Sequence, residues 1–206
     1  MFTGIIQAVG RIERIEPRGP AMRLAIAAGS LAMSDVATGD SIAVNGVCLT
    51  AVSKNASGFE ADVSAETLSC TVGLDRAGAE VNLEKSLTLA DRLGGHLVSG
   101  HVDGVGEVTR FERVGGSAGE GGGENWLLAI RAPQPLAKYI ARKGSIAVQG
   151  VSLTVNRVEG AEFEINLVPH TVAVTTLKQL APGARVNLEV DLIARYVERM
   201  LASARE

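Results

Sequence analysis

The stretch 41–50 reads SIAVNGVCLT and the stretch 145–154 reads SIAVQGVSLT, differing only at Asn45 against Gln149 and Cys48 against Ser152. The correspondence extends on both sides. FEADVSAETL (59–68) matches FEINLVPHTV (163–172) at the same separation, and AEVNLEKSL (79–87) matches ARVNLEVDL (184–192) at nearly the same one. The opening TGIIQAVGRI (3–12) matches SGHVDGVGEV (99–108) at a shorter separation, so the second copy carries an insertion. The glycine-rich GGSAGEGGGE (115–124) is its natural place, and that composition suggests a mobile surface loop. Two copies are far too few for a solenoid, so the chain is expected to be one small domain made twice.

Within each copy the apolar residues alternate. Ile42 and Val44, then Phe59, Ala61 and Val63, then Val81 and Leu83 lie two apart, as half-buried strands require. Ile146 and Val148, then Phe163, Ile165 and Leu167, then Val186, Leu188 and Val190 repeat the pattern. Gly46 and Gly150 interrupt the strands at the same point and read as a turn or bulge. Several short strands in so few residues predict an all-β fold with minor helix, each copy a small barrel whose closure removes the sheet edges. Segments 31–37 and 135–142 are each expected to supply a short helix. The end of the chain differs: Leu192, Ile193, Tyr196, Val197, Met200 and Leu201 share one face at helical spacing, with Asp191 where an N-cap would sit. Such a stripe either packs on its own barrels or joins a partner helix, and the sequence slightly favours the first.

Several function classes are excluded. A formal net charge of −3 and an aromatic content of 3% offer neither the basic footprint nor the stacking platforms of a nucleic-acid binder. No apolar run is long enough to span a bilayer, and the opening MFTGIIQAVGRIERIE lacks the pattern of a secretory leader, so the expected location is cytoplasmic. Cys48, Cys70, His96, His101 and His170 have no zinc-site spacing, and no metal is expected. GHVDGVGEV lacks the third glycine of a dinucleotide loop, and GVCLT and GVSLT lie in strands rather than at a nucleophile elbow.

What remains is a set of polar groups at equivalent places: Cys48, Thr50, Asp62, Ser64, Glu66 and Thr67 in the first copy, and Ser152, Thr154, Asn166, His170 and Thr171 in the second. Each has an ordinary structural reading. A lone cysteine is usually a small buried apolar residue, strand threonines and serines bond nearby backbone, and His101 by itself is more often structural. For Cys70, which has no polar company, the structural reading prevails.

Taken jointly, MFTGII, NGVCLT with GVSLTVN, GGHLVSGHVDG and GARVNLEVDLIARYVERML resemble the riboflavin synthase family over essentially the whole chain. The resemblance implies two similar six-stranded Greek-key β-barrels in tandem plus a C-terminal α-helix, divided as 1–96, 97–190 and 191–206. It implies a transferase of riboflavin biosynthesis that dismutates two molecules of 6,7-dimethyl-8-ribityllumazine. A four-carbon unit passes between them, giving riboflavin and 5-amino-6-ribitylamino-uracil without metal or other cofactor. It also implies a homotrimer whose sites lie between the N-terminal barrel of one subunit and the C-terminal barrel of the next, and it allows association with lumazine synthase. A dismutation needs two cradles for one ligand that are chemically unequal, and a duplicated, diverged barrel supplies them.

The residues carried over by the resemblance are these. The ring and ribityl contacts of the first copy fall on Gly4, Ile5 and Ile6, on Cys48, Leu49 and Thr50, and on Asp62, Val63, Ser64, Ala65, Glu66 and Thr67. Those of the second fall on Gly100, His101 and Val102, on Ser152, Leu153 and Thr154, and on Asn166, Leu167, Val168, Pro169, His170 and Thr171. Catalytic roles fall on Cys48 as nucleophile or hydrogen-bond partner, His101 as base or proton shuttle, Asp191 as a nearby acid, and Ser152 as a ring hydrogen-bonder. Lys143 corresponds to a contact across the subunit boundary, against its plainer reading as a solvated lysine. The competing function is a lumazine- or flavin-binding protein without turnover, which needs only one good pocket; the polar lining of both copies favours the enzyme.

Overall fold

The computed structural model describes residues 1–115 and 125–203; the expected loop at 115–124 thus lies, apart from Gly115, outside the described residues. The first copy forms β1 (Ala8–Arg18), β2 (Ala21–Ala27), β3 (Ser41–Val44), β4 (Val47–Lys54), β5 (Gly58–Val63) and β6 (Glu80–Lys85). The second forms β7 (Gly104–Val114), β8 (Asn125–Arg131), β9 (Ser145–Val148), β10 (Val151–Glu159), β11 (Glu162–Leu167) and β12 (Arg185–Val190). Each set closes into an antiparallel barrel in the same cyclic order, β1-β2-β5-β4-β3-β6 and β7-β8-β11-β10-β9-β12. The alternating residues fill the two lumens as their spacing requires, and Phe59, Val81 and Leu83 are buried like their counterparts Phe163, Val186 and Leu188. Bulges recur at equivalent places, between Ile12 and Arg14 and between Val108 and Arg110, and again between Ala51 and Ser53 and between Val155 and Arg157. An extra residue at each point bends its strand, which barrel closure needs.

Helices are short and few. α1 (Ala65–Cys70) and α2 (Pro169–Val174) follow β5 and β11, a 3-10 segment covers Gln134–Tyr139, and α3 (Leu192–Ser203) ends the described chain. The helix expected at 135–142 is thus a tighter 3-10 turn. The helix expected at 31–37 is absent: these residues are a turn and irregular chain that bury Leu31, Met33 and Val36 against the first lumen. Short helices depend on tertiary packing rather than local propensity, and here the burial of these apolar side chains decides the path instead. α1 and α2 escape the apolar pattern because they are six residues each. Their start signals are nevertheless present, Ser64 as an N-cap accepting from Thr67 N and Pro169 at the first helical position.

The repeated phrase also makes the contact between barrels. Asn45 and Gly46 (φ 48° and 81°) and Gln149 and Gly150 (φ 50° and 79°) are two-residue hairpin loops, all four in the left-handed region that a type I′ turn demands. The two loops meet tip to tip. A Cβ on Gly46 would lie 2.7 Å from Gly150 N, and one on Gly150 would lie 2.7 Å from Gly46 N. Asn82 Nδ2 donates to the Gln149 carbonyl at 2.9 Å, and its counterpart Asn187 Nδ2 donates to the Asn45 carbonyl at 3.0 Å. Each turn side chain accepts from the backbone of its own barrel: Asn45 Oδ1 from Asn82 N, and Gln149 Oε1 from Asn187 N.

Candidate functional site

The segments that open each copy are exchanged between the barrels. Phe2 and Val98 bridge each other through reciprocal backbone hydrogen bonds of 2.7 and 3.0 Å and pack with Ala43 and Ala147 in a small buried cluster. From there the first arm is held by its own barrel, where the Glu84 carboxylate on β6 accepts from Thr3 N, Thr3 Oγ1 and Gly4 N. The same arm lies on the other barrel, because the Gly4 carbonyl accepts from Ser152 N at 2.8 Å. The second arm is built in the same way, with one more hydrogen bond. Glu189 on β12 accepts from Ser99 N, Ser99 Oγ, Gly100 N and His101 N, and the Gly100 carbonyl accepts from Cys48 N at 2.8 Å. A Cβ on Gly4 would fall 2.6 Å from Ser152 Cβ, and one on Gly100 would fall 2.7 Å from Cys48 Cβ, so glycine is required at both crossings.

Cys48 and Ser152 therefore occupy the same backbone setting on the outer faces of β4 and β10. Val47, Leu49 and Ala51 point into the first lumen, while Cys48 is half-buried and Thr50 exposed on the outside. Val151, Leu153 and Val155 do the same in the second barrel, leaving Ser152 half-buried and Thr154 exposed. Leu49 and Leu153 of the expected contact set are thus lumen residues whose share in an outer cradle is limited to backbone. The next strands add Asp62 and Asn166, both exposed between lumen residues, and α1 and α2 carry Glu66 and Thr67 and their counterparts His170 and Thr171 beside them. Val63 and Leu167 turn inward, and Ala65 and Val168 remain exposed at the strand-to-helix junction.

The electrostatics of the two cradles differ. Asp62 forms a two-pronged ion pair with Arg23, both N···O distances 2.7 Å, and this guanidinium holds its carboxyl below the usual carboxylate range. Asn166 carries no charge, so the second cradle lacks that pair. The second cradle has instead a histidine that residue spacing did not mark: His96 is buried, with Nδ1 2.7 Å from Ser152 Oγ. Only the tertiary path of the linker brings it there.

The remaining expected residues have clear places. His101 is exposed at the arm's edge, its amide held by Glu189 and its carbonyl accepting from Arg195 at 3.2 Å. Ile5 is exposed, while Ile6 and Val102 are half-buried at equivalent points after each arm. Asp191 is the N-cap of α3, Oδ1 accepting from Ile193 N at 2.9 Å. Lys143 is exposed in a left-handed turn (φ 67°), its amide donating to the Val155 carbonyl beside Thr154. Ser64, for its part, spends its hydroxyl capping α1.

A lumazine binding domain model matches this chain twice, over residues 3–86 and 99–191. The riboflavin synthase of Photobacterium phosphoreum is 47% identical over 202 residues, covering 98% of this chain and 89% of the relative. That of Mycobacterium tuberculosis is 46% identical over 99% of this chain and 100% of the relative. The chain belongs to the riboflavin synthase family. The Bacillus subtilis member is 40% identical over 100% of this chain and 92% of its own length. Among solved structures, LumP complexed with riboflavin superposes with a TM-score of 0.79 at 26% identity, covering 92% of this chain and 99% of LumP. LumP complexed with 6,7-dimethyl-8-(1'-D-ribityl) lumazine gives 0.77 at 25% identity with the same coverage. Membership accounts for the two matched cradles: the family model falls once on each barrel and its arm.

Proposed function

We propose that this chain is a riboflavin synthase, dismutating two molecules of 6,7-dimethyl-8-ribityllumazine into riboflavin and 5-amino-6-ribitylamino-uracil. The observation that carries the reading is the pair of equivalent cradles whose backbone hydrogen bonds match, Ser152 N to the Gly4 carbonyl and Cys48 N to the Gly100 carbonyl, while their side chains diverge, a thiol at Cys48 against a hydroxyl at Ser152. A dismutation needs two sites of one shape and unequal chemistry. The two substrates together contain every atom of the two products, so the four-carbon transfer balances without an external oxidant or cofactor.

In this reading Cys48 and Ser152 address the ring of one ligand each. The methyl group on the electron-poor ring of the donor is acidic, and His101, free at the arm's edge, takes its proton. Asp191 both caps α3 and faces the second cradle. Thr50, Asp62, Glu66, Thr67, Thr154, Asn166, His170 and Thr171 supply the donors and acceptors that a ribityl chain and a pyrimidinedione edge require.

The site is proposed to lie between subunits of a homotrimer, the N-terminal barrel of one facing the C-terminal barrel of the next, with Lys143 reaching across. The exposed large apolar side chains of the described residues support this. They fall in the first arm (Met1, Ile5), the linker (Leu89, Leu93, Leu97), the start and end of α2 (its N-cap Val168, and Val174) and α3, and none lies on a barrel flank. On α3, Ile193, Tyr196, Val197, Met200 and Leu201 face outward rather than onto the chain's own barrels, against the weak preference of the sequence. A cytoplasmic location and association with lumazine synthase belong to the same reading and rest on family membership alone.

The test is to incubate the purified protein with 6,7-dimethyl-8-ribityllumazine, without metal or cofactor, and follow riboflavin absorbance. Turnover is expected. Tight binding with no product would instead assign the chain to the chromophore-binding class, a role for which the LumP complexes are the precedent. Deleting residues 192–206 is expected to give monomers with little turnover, and a fully active monomer would refute the intersubunit site.

A further inference from the structure

We propose that Arg195 of α3 is a positioning residue for His101, its guanidinium tying the helix to the second arm, so that the helix assigned to subunit assembly also sets where the histidine stands. The inference rests on the reading of His101 as the group that takes the substrate's proton. Arg195 is half-buried and lies apart from the outward stripe of Ile193, Tyr196, Val197, Met200 and Leu201. Its Nη2 carries two protons and meets two acceptors, the His101 carbonyl at 3.2 Å and Asp103 Oδ2 at 2.7 Å. Glu189 on β12 holds the His101 amide at 3.1 Å, so the backbone of His101 is held on one side from the barrel and on the other from the helix.

The tie is more than a strand cap. Gln7 and Asp103 stand at equivalent points of the two copies. Gln7 N donates to the Leu83 carbonyl and its Oε1 accepts from Lys85 N; Asp103 N donates to the Leu188 carbonyl and its Oδ2 accepts from Val190 N. A neutral amide therefore suffices for the backbone task. In the second copy a carboxylate does it instead, with a side chain only 14% exposed. Burial pushes the Asp103 carboxyl up, against the opposing pull of Val190 N–H and Arg195. A carboxylate so placed is costly without a cation, and Arg195 supplies one. Arg195 Nε is itself buried with no partner among the described residues, a cost that the two contacts of Nη2 offset. After β6 the first copy runs into the linker where the second has α3. Among the described residues the tie thus belongs to the second arm alone, the arm that carries the histidine.

The proposal is tested with Arg195→Leu, Arg195→Lys and the double variant Arg195→Leu/Asp103→Asn. For each, kcat and KM for the lumazine, Tm, oligomeric state by sedimentation and amide hydrogen exchange at His101 are measured. Arg195→Leu strands a buried carboxylate and is expected to lose both stability and turnover. Asp103→Asn removes that charge while its amide oxygen still serves Val190 N, as Gln7 serves Lys85 N. The double variant is therefore expected to regain Tm but not turnover. Its kcat should stay roughly tenfold below wild type with KM nearly unchanged, the effect of one lost hydrogen bond. Its outward stripe is intact, so the wild-type oligomeric state is expected. Arg195→Lys keeps the charge but ends one bond short of Nη2, and should hold Tm and recover part of kcat. The His101 amide should exchange roughly tenfold faster in the double variant, with the Ile5 amide of the first arm unchanged. A double variant whose kcat returns along with its Tm, or that loses turnover only by dissociating, would overturn the proposal, as would unchanged exchange at His101. Exchange needs no turnover: a wild-type protein that binds the lumazine without product would refute the dismutation reading, while the exchange rates still decide whether Arg195 holds the arm.

Discussion

Glu189 offers the sharpest test of how the arms build the site. Its carboxylate accepts from Ser99 N and Oγ at 2.6 Å each, from Gly100 N at 2.9 Å and from His101 N at 3.1 Å. Glu189→Ala leaves the buried Gly100 N–H without a partner, at about 1–3 kcal/mol, while water partly replaces the acceptor for the more accessible Ser99 and His101. A loss of about 2–4 kcal/mol is expected, and at this chain length that lowers Tm by roughly 5–15 °C. The arm can relieve part of that cost by lifting off, which also breaks the bond from Cys48 N to the Gly100 carbonyl. Weakening arm docking by about 2 kcal/mol raises the open population roughly thirtyfold. Cys48 should therefore react at least about tenfold faster with an aromatic disulfide reagent, while the exposed Cys70 serves as internal control. Glu189→Gln should fall between, because its amide nitrogen, a donor, would face the Gly100 and His101 N–H groups for which Glu189 Oε2 is the acceptor. An alanine variant with unchanged Tm and wild-type Cys48 labelling would show that the carboxylate does not hold the arm.

Three further outcomes are expected. Gly46→Ala combines a left-handed φ of 81° with a Cβ 2.7 Å from Gly150 N, and should cost about 2–4 kcal/mol by chemical denaturation; a loss under about 0.5 kcal/mol would deny the tip-to-tip contact. Gln149→Asn places the residue better suited to positive φ in the second turn, where the first copy already uses Asn45 to reach Asn82 N at 2.8 Å. Stability should hold or rise by about 0.5 kcal/mol, and a loss above about 1 kcal/mol would show that the longer Gln149 is needed. Burial raises the Glu84 carboxyl above its usual range, a push that outweighs its hydrogen bonds from Thr3 and Gly4. The folded state therefore holds this proton more tightly than the unfolded chain. Its contribution is full below the ordinary carboxylate pKa and is lost as pH rises through the raised value. Wild-type stability relative to Glu84→Gln should fall over that window and then level off; a rise would refute the sign.

Duplication, strand pattern and the recurrence of polar groups at equivalent positions are all legible along the chain. A period of two fixes which side chains enter a lumen, and Phe59, Ala61 and Val63 obey it because each lies on a strand whose inner face is wholly buried. The short elements were less legible. Six residues carry too little periodicity to announce α1 or α2, and in 31–37 burial of Leu31, Met33 and Val36 overrides any helical preference. Asp191 was readable as a cap because capping is local, whereas the outward stripe of α3 depends on what the barrels leave uncovered. Tertiary structure alone decided that the arms cross, that Gly4 and Gly100 lie against Ser152 and Cys48, and that His96 reaches Ser152 Oγ. These contacts join residues dozens of positions apart, whose meeting depends on the relative placement of two closed barrels, and no local pattern encodes that distance.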